Sequence, residues 1–110
     1  MNNNNSKKIY IAMSADIIHK GHLNIIGTGC KLGKVIIGLL TDEAISSYKR
    51  LPLIAFEERK QIVENLKGVD KVIPQNTLDY VPNLKKIRDL TSSESKAFIL
   101  LMPKHCEAIM

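Results

Sequence analysis

The sequence predicts an α/β domain, a parallel sheet with flanking helices in Rossmann-like layering. Three features carry that expectation. Short apolar runs of strand length recur along the 110 residues, amphipathic stretches of helix length lie between them, and glycine or proline marks most of the junctions.

Lys8-Ile9-Tyr10-Ile11-Ala12-Met13 opens the pattern as a nearly continuous apolar run, the signature of a strand covered on both faces. A polar loop follows. From Gly21 or His22 to about Leu32 the residues Leu23, Ile25, Ile26 and Cys30 give one apolar side, so a helix is expected, with Gly33 near its end. Val35 to Leu40 is β-branched and uncharged and predicts the second strand, and Thr41-Asp42 can cap a short helix after it. Beyond Pro52, the spacing of Phe56, Ile62, Val63 and Leu66 predicts a helix that Gly68 stops. Val69 to Pro74 reads as a third strand ended by proline, and Leu84 to Leu90 as another helix. Ala97 to Met102 fits a fourth buried strand after a polar spacer, Thr91 to Lys96. The organisation expected is a disordered tail over residues 1–7, a domain over 8–103, and a tail over 104–110.

A chain of 110 residues that is 45% hydrophobic can bury one core and has no room for a second catalytic domain. The formal charge of +5, from 16 basic and 11 acidic residues, is spread along the chain and suits phosphate-bearing ligands. Nucleic acid is not an expected partner, because two Phe, three Tyr and no Trp leave no basic run interleaved with aromatics. Cys30 and Cys106 stand far apart with no CxxC, which suggests neither a disulfide framework nor a zinc site, and a reducing cytoplasm is the expected setting. The Asn-rich start lacks the apolar stretch of a signal peptide, and no run approaches a membrane span.

Chemistry is concentrated in Ser14-Ala15-Asp16-Ile17-Ile18-His19-Lys20-Gly21-His22, which follows a strand and opens a helix. Ligands of open α/β sheets bind outside the carboxyl ends of the strands. A helix start adds free backbone N–H groups and the positive end of the dipole, both favourable to phosphate. Gly21 allows close approach of backbone to ligand. His19 and His22 can aim two imidazole donors at phosphate oxygens. A plainer reading makes them cap residues or a metal pair.

Met13 to His22 resembles the HxGH signature of cytidylyltransferase-like nucleotidyltransferases. Leu39-Leu40-Thr41-Asp42-Glu43-Ala44, Phe56-Glu57-Glu58-Arg59 and Val69-Asp70-Lys71-Val72-Ile73-Pro74 are similar to later landmarks of that family, in order, to about residue 90. GLLTDEAISSYKRLP and QNTLDYVPNLKKIRDL look closer still to the nucleotidyltransferase domain fused to phosphoenolpyruvate mutase in phosphonate biosynthesis.

The resemblance implies a HUP-type nucleotidyltransferase domain that moves CMP from CTP to a small phosphonate or phosphate acceptor, with Mg2+ accompanying the nucleotide. Its implied catalytic residues are His19, His22 and Lys49. Its implied nucleotide-binding residues are Met13, Ser14, Ala15, Asp16, Gly21, Arg50 and Arg59, with a supporting role for Asp70; on sequence alone Arg59 also reads as a solvated charge on a polar helix face. No protein-held metal is expected. The family's GDD-type acidic turn and RTxGISST-like string are not found after Asp89-Leu90, so the chain reads as a truncated or diverged form. A nucleotide-binding remnant, an adenylyltransferase using ATP and a non-enzymatic interaction module stay open as alternatives, and so does a homodimer.

Overall fold

The computed structural model describes residues 8–48, 50–91 and 98–101. Its elements follow the predicted alternation: β1 (Lys8–Met13), α1 (Lys20–Leu32), β2 (Lys34–Leu40), α2 (Asp42–Ser46), α3 (Phe56–Glu64), β3 (Val69–Gln75), α4 (Val81–Thr91) and β4 (Phe98–Leu101). The strands pair in parallel in the order β3-β2-β1-β4, confirming the α/β class. The chain winds outward from β1 through β2 to β3 and then returns to β4 on the other side of β1. The switch in direction therefore falls between β1 and β4, where open sheets form a crevice at their carboxyl edge.

Alternation along the strands sorts the core into two layers. Ile9, Ile11 and Met13 of β1 join Val35, Ile37 and Leu39 of β2 under α1 and α3, which contribute Ile26 and Val63. Tyr10, Ala12 and Ile36 point to the opposite face and meet Ile87 and Leu84 of α4. Leu40, Ala44 and Ile45 make a small third cluster beneath α2. Gly68, at φ +97, turns the chain from α3 into β3, a conformation that glycine adopts without the cost a Cβ would add.

Element boundaries differ from expectation in several places, two of them with a clear local cause. Strand β3 continues past Pro74 to Gln75 because β3 is an edge strand, where a missing N–H removes no ladder bond on its outer side. Helix α4 starts at Val81 rather than Leu84 because the Asp79 carboxylate accepts the Val81 N–H at 3.0 Å. Helix α3 ends at Glu64, short of Leu66, and the fourth strand is Phe98–Leu101. The expectations for residues 1–7, 92–97 and 102–110, and for Lys49, lie outside the described residues. Among the described residues no helix is long and apolar enough to cross a membrane.

Candidate active site

Strand β1 delivers its last side chains into the core and then turns sharply. Met13 and Ser14 are buried, and Ala15 adopts φ 53, a left-handed conformation that an alanine holds only when its neighbours are pinned. Both neighbours are pinned. The Ser14 carbonyl accepts a bond from Arg59 at 2.7 Å. The Asp16 carboxylate accepts the backbone N–H groups of Leu53 and Ile54, each at 3.0 Å. The turn at Ala15 is thereby locked to the 50–54 loop, and the chain leaves it toward the start of α1.

Helix α1 begins with two histidines in reciprocal bonds. His19 is the N-cap, in extended backbone, and its Nδ1 accepts the Gly21 N–H at 3.0 Å. The Nδ1 of His22 accepts the His19 N–H at 3.2 Å. This is a capping box in which two imidazoles stand where Ser or Thr and Glu or Gln usually stand. The rings lie 4.4 Å apart, tilted by 58°. Because Nδ1 is an acceptor in both rings, each neutral imidazole carries its proton on Nε2.

The expectation of a row of free N–H groups is met only in part. The Gly21 N–H goes to the His19 side chain, while the His22 and Leu23 N–H groups go to the His19 carbonyl at 3.0 and 3.3 Å. The attraction for an anion at this turn thus rests on the helix dipole and on imidazole donors more than on bare amides. His19 is exposed and His22 is buried, which gives the pair one surface member and one interior member.

Two charged residues beneath the turn organise the loops around it. Asp16 is 6% exposed. Burial alone would raise its pKa, but the Leu53 and Ile54 N–H groups and the Arg50 guanidinium outweigh burial together and hold the carboxyl below its ordinary value. Arg50, itself exposed, stands 3.4 Å from Asp16 and also donates to the Leu51 carbonyl.

Arg59, on α3, has no exposed surface. Its Nε donates to Ile54 O at 2.8 Å, its Nη1 to Ser14 O and Leu40 O, and its Nη2 to the Asp42 carboxylate at 2.6 Å. One guanidinium therefore joins the carboxyl ends of β1 and β2, the first residue of α2 and the 50–54 loop. The solvated charge expected at Arg59 is overturned: three carbonyls and a carboxylate converge on that point and take four of its five N–H donors.

Of the residues expected at the site, His19, Gly21, His22, Ser14, Ala15, Asp16 and Arg50 come together around the turn after β1. Met13 packs wholly within the apolar core, and Arg59 acts from below. Lys49 lies outside the described residues, and Asp70 is exposed on β3. The sequence reading missed the anchoring partner Asp42. Its place in the first turn of α2 was the available signal, since a carboxylate there is free to meet a cation from another helix. Among the described residues no three His, Cys, Asp or Glu side chains gather as a metal site.

A parallel sheet whose first strand runs into a histidine-capped helix start is an α/β domain of Rossmann-like layering. The chain belongs to the cytidylyltransferase-like family, which it matches over residues 13–105. It is 32% identical over 82 residues to the FAD synthase of Ferroglobus placidus, covering 74% of this chain and 54% of that protein. It is 36% identical over 73 residues to the ethanolamine-phosphate cytidylyltransferase of Mus musculus, covering 66% of this chain and 18% of that protein. The chain thus spans about half of the first relative's length and less of the second's. The fold is shared with a lipopolysaccharide core biosynthesis protein from Thermoplasma volcanium, at TM-score 0.62 and 17% identity, over 86% of this chain and 94% of that one.

Proposed function

We propose that this chain is the nucleotidyltransferase domain of an enzyme that moves CMP from CTP onto a small phosphonate or phosphate acceptor. An acceptor oxygen attacks the α-phosphorus, a P–O bond forms, the bond to the β-phosphate breaks, and pyrophosphate leaves with the electron pair. No covalent intermediate with the protein is required. What the site must supply is alignment of two anions and donors for the charge that builds on the transferring group.

The observation that carries this reading is the His19–His22 capping box at the carboxyl end of β1, which fixes both imidazoles in the Nε2–H form and sets the exposed His19 beside the positive end of α1. Arg50, exposed and held to Asp16 only at 3.4 Å, is within the same loop system and is assigned to the acceptor or α-phosphate oxygens, with Lys49 beside it in sequence. Asp16 and Arg59 keep those loops in place. Mg2+ enters with the triphosphate and offsets its charge; the Asp16 carboxylate, already met by Leu53, Ile54 and Arg50, is committed to the loop rather than to an ion.

Similarity of GLLTDEAISSYKRLP and QNTLDYVPNLKKIRDL to the domain fused to phosphoenolpyruvate mutase supports a phosphonate as acceptor. The ethanolamine-phosphate cytidylyltransferase relative supports CTP as donor. The FAD synthase relative favours a second reading, adenylyl transfer from ATP. Pyrophosphate release separates the two. With 2-aminoethylphosphonate present, release that depends on CTP supports cytidylyl transfer, release that depends on ATP supports the second reading, and release with neither removes both.

A further inference from the structure

The stretch QNTLDYVPNL is left unused by the nucleotide chemistry at α1, yet its residues take part in a buried polar relay. The Asn83 amide donates to the Tyr10 hydroxyl at 2.9 Å and to the Pro74 carbonyl at 3.0 Å. Having accepted that bond, the Tyr10 hydroxyl donates to Gln75 Oε1 at 2.5 Å. That bond fixes the orientation of the Gln75 amide, whose Nε2 then donates to the Thr77 carbonyl at 2.9 Å and to that of Leu78 at 3.4 Å. The Gln75 carbonyl accepts the Thr41 N–H at 3.1 Å, and the Thr41 hydroxyl caps α2. The bonds together tie α4, β1 and the carboxyl ends of β2 and β3 to the loop after β3.

The relay needs an empty place in β2. A Cβ at Gly38 would lie 1.8 Å from the Tyr10 hydroxyl oxygen and 2.9 Å from Gln75 Oε1. Tyr10 therefore crosses β2 at its one residue without a side chain. Burial pushes the Tyr10 pKa up to about 12 against the opposing Asn83 bond, so the hydroxyl keeps the proton it donates.

We propose that Tyr10, Gln75 and Asn83 are positioning residues for the acceptor, holding loop 76–80 as the acceptor-side wall of the active site. The proposal rests on the nucleotidyl-transfer reading. In-line attack puts the acceptor and the leaving pyrophosphate on opposite sides of the α-phosphorus, so a different loop from the phosphate-holding turn must frame the acceptor. Leu40 pairs with Gln75 and Met13 with Leu39, so the loop after β3 opens on the same sheet edge as the histidine turn. Two strand spacings separate them, roughly 10 Å, the scale of a small acceptor beyond the transferring phosphate. Loop 76–80 exposes Asn76, Thr77 and Asp79, a neutral-to-acidic surface on the same edge as the cationic Arg50, which matches a small acceptor carrying an amine as well as an anionic group.

The test uses amide NMR of the whole chain, with CTP and 2-aminoethylphosphonate as separate probes. The phosphonate is expected to shift the amides of 76–80. Tyr10→Phe, which keeps the ring in the core, and Asn83→Ala, at a half-buried position, are each expected to weaken phosphonate affinity about tenfold, the scale of one hydrogen bond left unmade, and to leave CTP affinity within about twofold. If Tyr10→Phe disturbs the fold, the spectrum reveals it and Asn83→Ala carries the test. Unresponsive 76–80 amides, or equal losses for both probes, overturn the proposal while leaving nucleotide binding intact. Absence of CTP-induced shifts across His19 to Leu23 in the unaltered chain overturns the nucleotidyl-transfer reading and this proposal with it.

Discussion

The two regions that build the active edge are held together in opposite ways. At the start of α1 the bonds are local: His19 bonds Gly21 and His22 bonds His19, across two and three residues. Beneath it the bonds are long-range, with Asp16 reaching positions 50, 53 and 54 and Arg59 reaching positions 14, 40 and 42. The groups proposed to meet the ligand thus sit on a self-contained turn, whereas the scaffold that places the turn is charged and dependent on the whole topology. The difference implies a division of effects. Changes in the turn should alter chemistry with little loss of stability, and changes in the scaffold should do the reverse.

The largest expected effect is at Arg59. Arg59→Met keeps much of the volume but leaves the carbonyls of Ser14, Leu40 and Ile54 without their donor, and each buried acceptor left unpaired costs about 1–3 kcal/mol. Urea unfolding should register that loss as a lower midpoint, and a loss under about 1 kcal/mol would show that the guanidinium is no scaffold. Next come the histidines. In a longer protein that includes this domain and turns over, His19→Ala or His22→Ala should lower kcat by roughly 10²–10³, as loss of one preorganised donor does. For the exposed His19 stability should fall only by the ~1 kcal/mol of a helix cap, whereas His22→Ala also empties buried volume and should cost more. Equal damage to kcat and unfolding free energy would erase the contrast between the regions.

The smallest effect belongs to Asp16, and it depends on pH. Its carboxyl titrates below the ordinary value in the folded chain, so its stabilisation is fully present above the unfolded pKa of about 4 and is lost as pH falls through the lower, folded value. Asp16→Asn should cost about 1–3 kcal/mol near neutrality and should remove that acid-dependent component from unfolding curves. An unchanged acid limb in the variant would assign the loss to another group.

The same contrast governs what the sequence made legible. Uncharged runs such as Val35 to Leu40 declare buried strands without help from the rest of the chain, and the HKGH string is contiguous, so its place between strand and helix could be read directly. Arg59 could not be read that way. It lies among Glu57, Glu58 and Lys60 in an outwardly polar stretch, and its acceptors at 14, 40, 42 and 54 become neighbours only when the sheet assembles. Tyr10 looked like one more apolar strand residue, because nothing local announces that Gly38 leaves room for its hydroxyl to reach Gln75. Pro74 read as a strand end because the edge position of β3, which tolerates it, is a property of strand order.

The central claim is that α1 opens with two imidazoles held in the Nε2–H form, the exposed His19 donating to a nucleotide phosphate, and nitrogen NMR of the histidine side chains tests it most directly. With the rings neutral, both His19 and His22 should show an unprotonated Nδ1 and a protonated Nε2, and adding CTP with Mg2+ should shift the His19 Nε2 signal while leaving both Nδ1 signals acceptor-like. A proton on Nδ1 in either neutral ring, or a His19 Nε2 signal that ignores the nucleotide, would contradict the account.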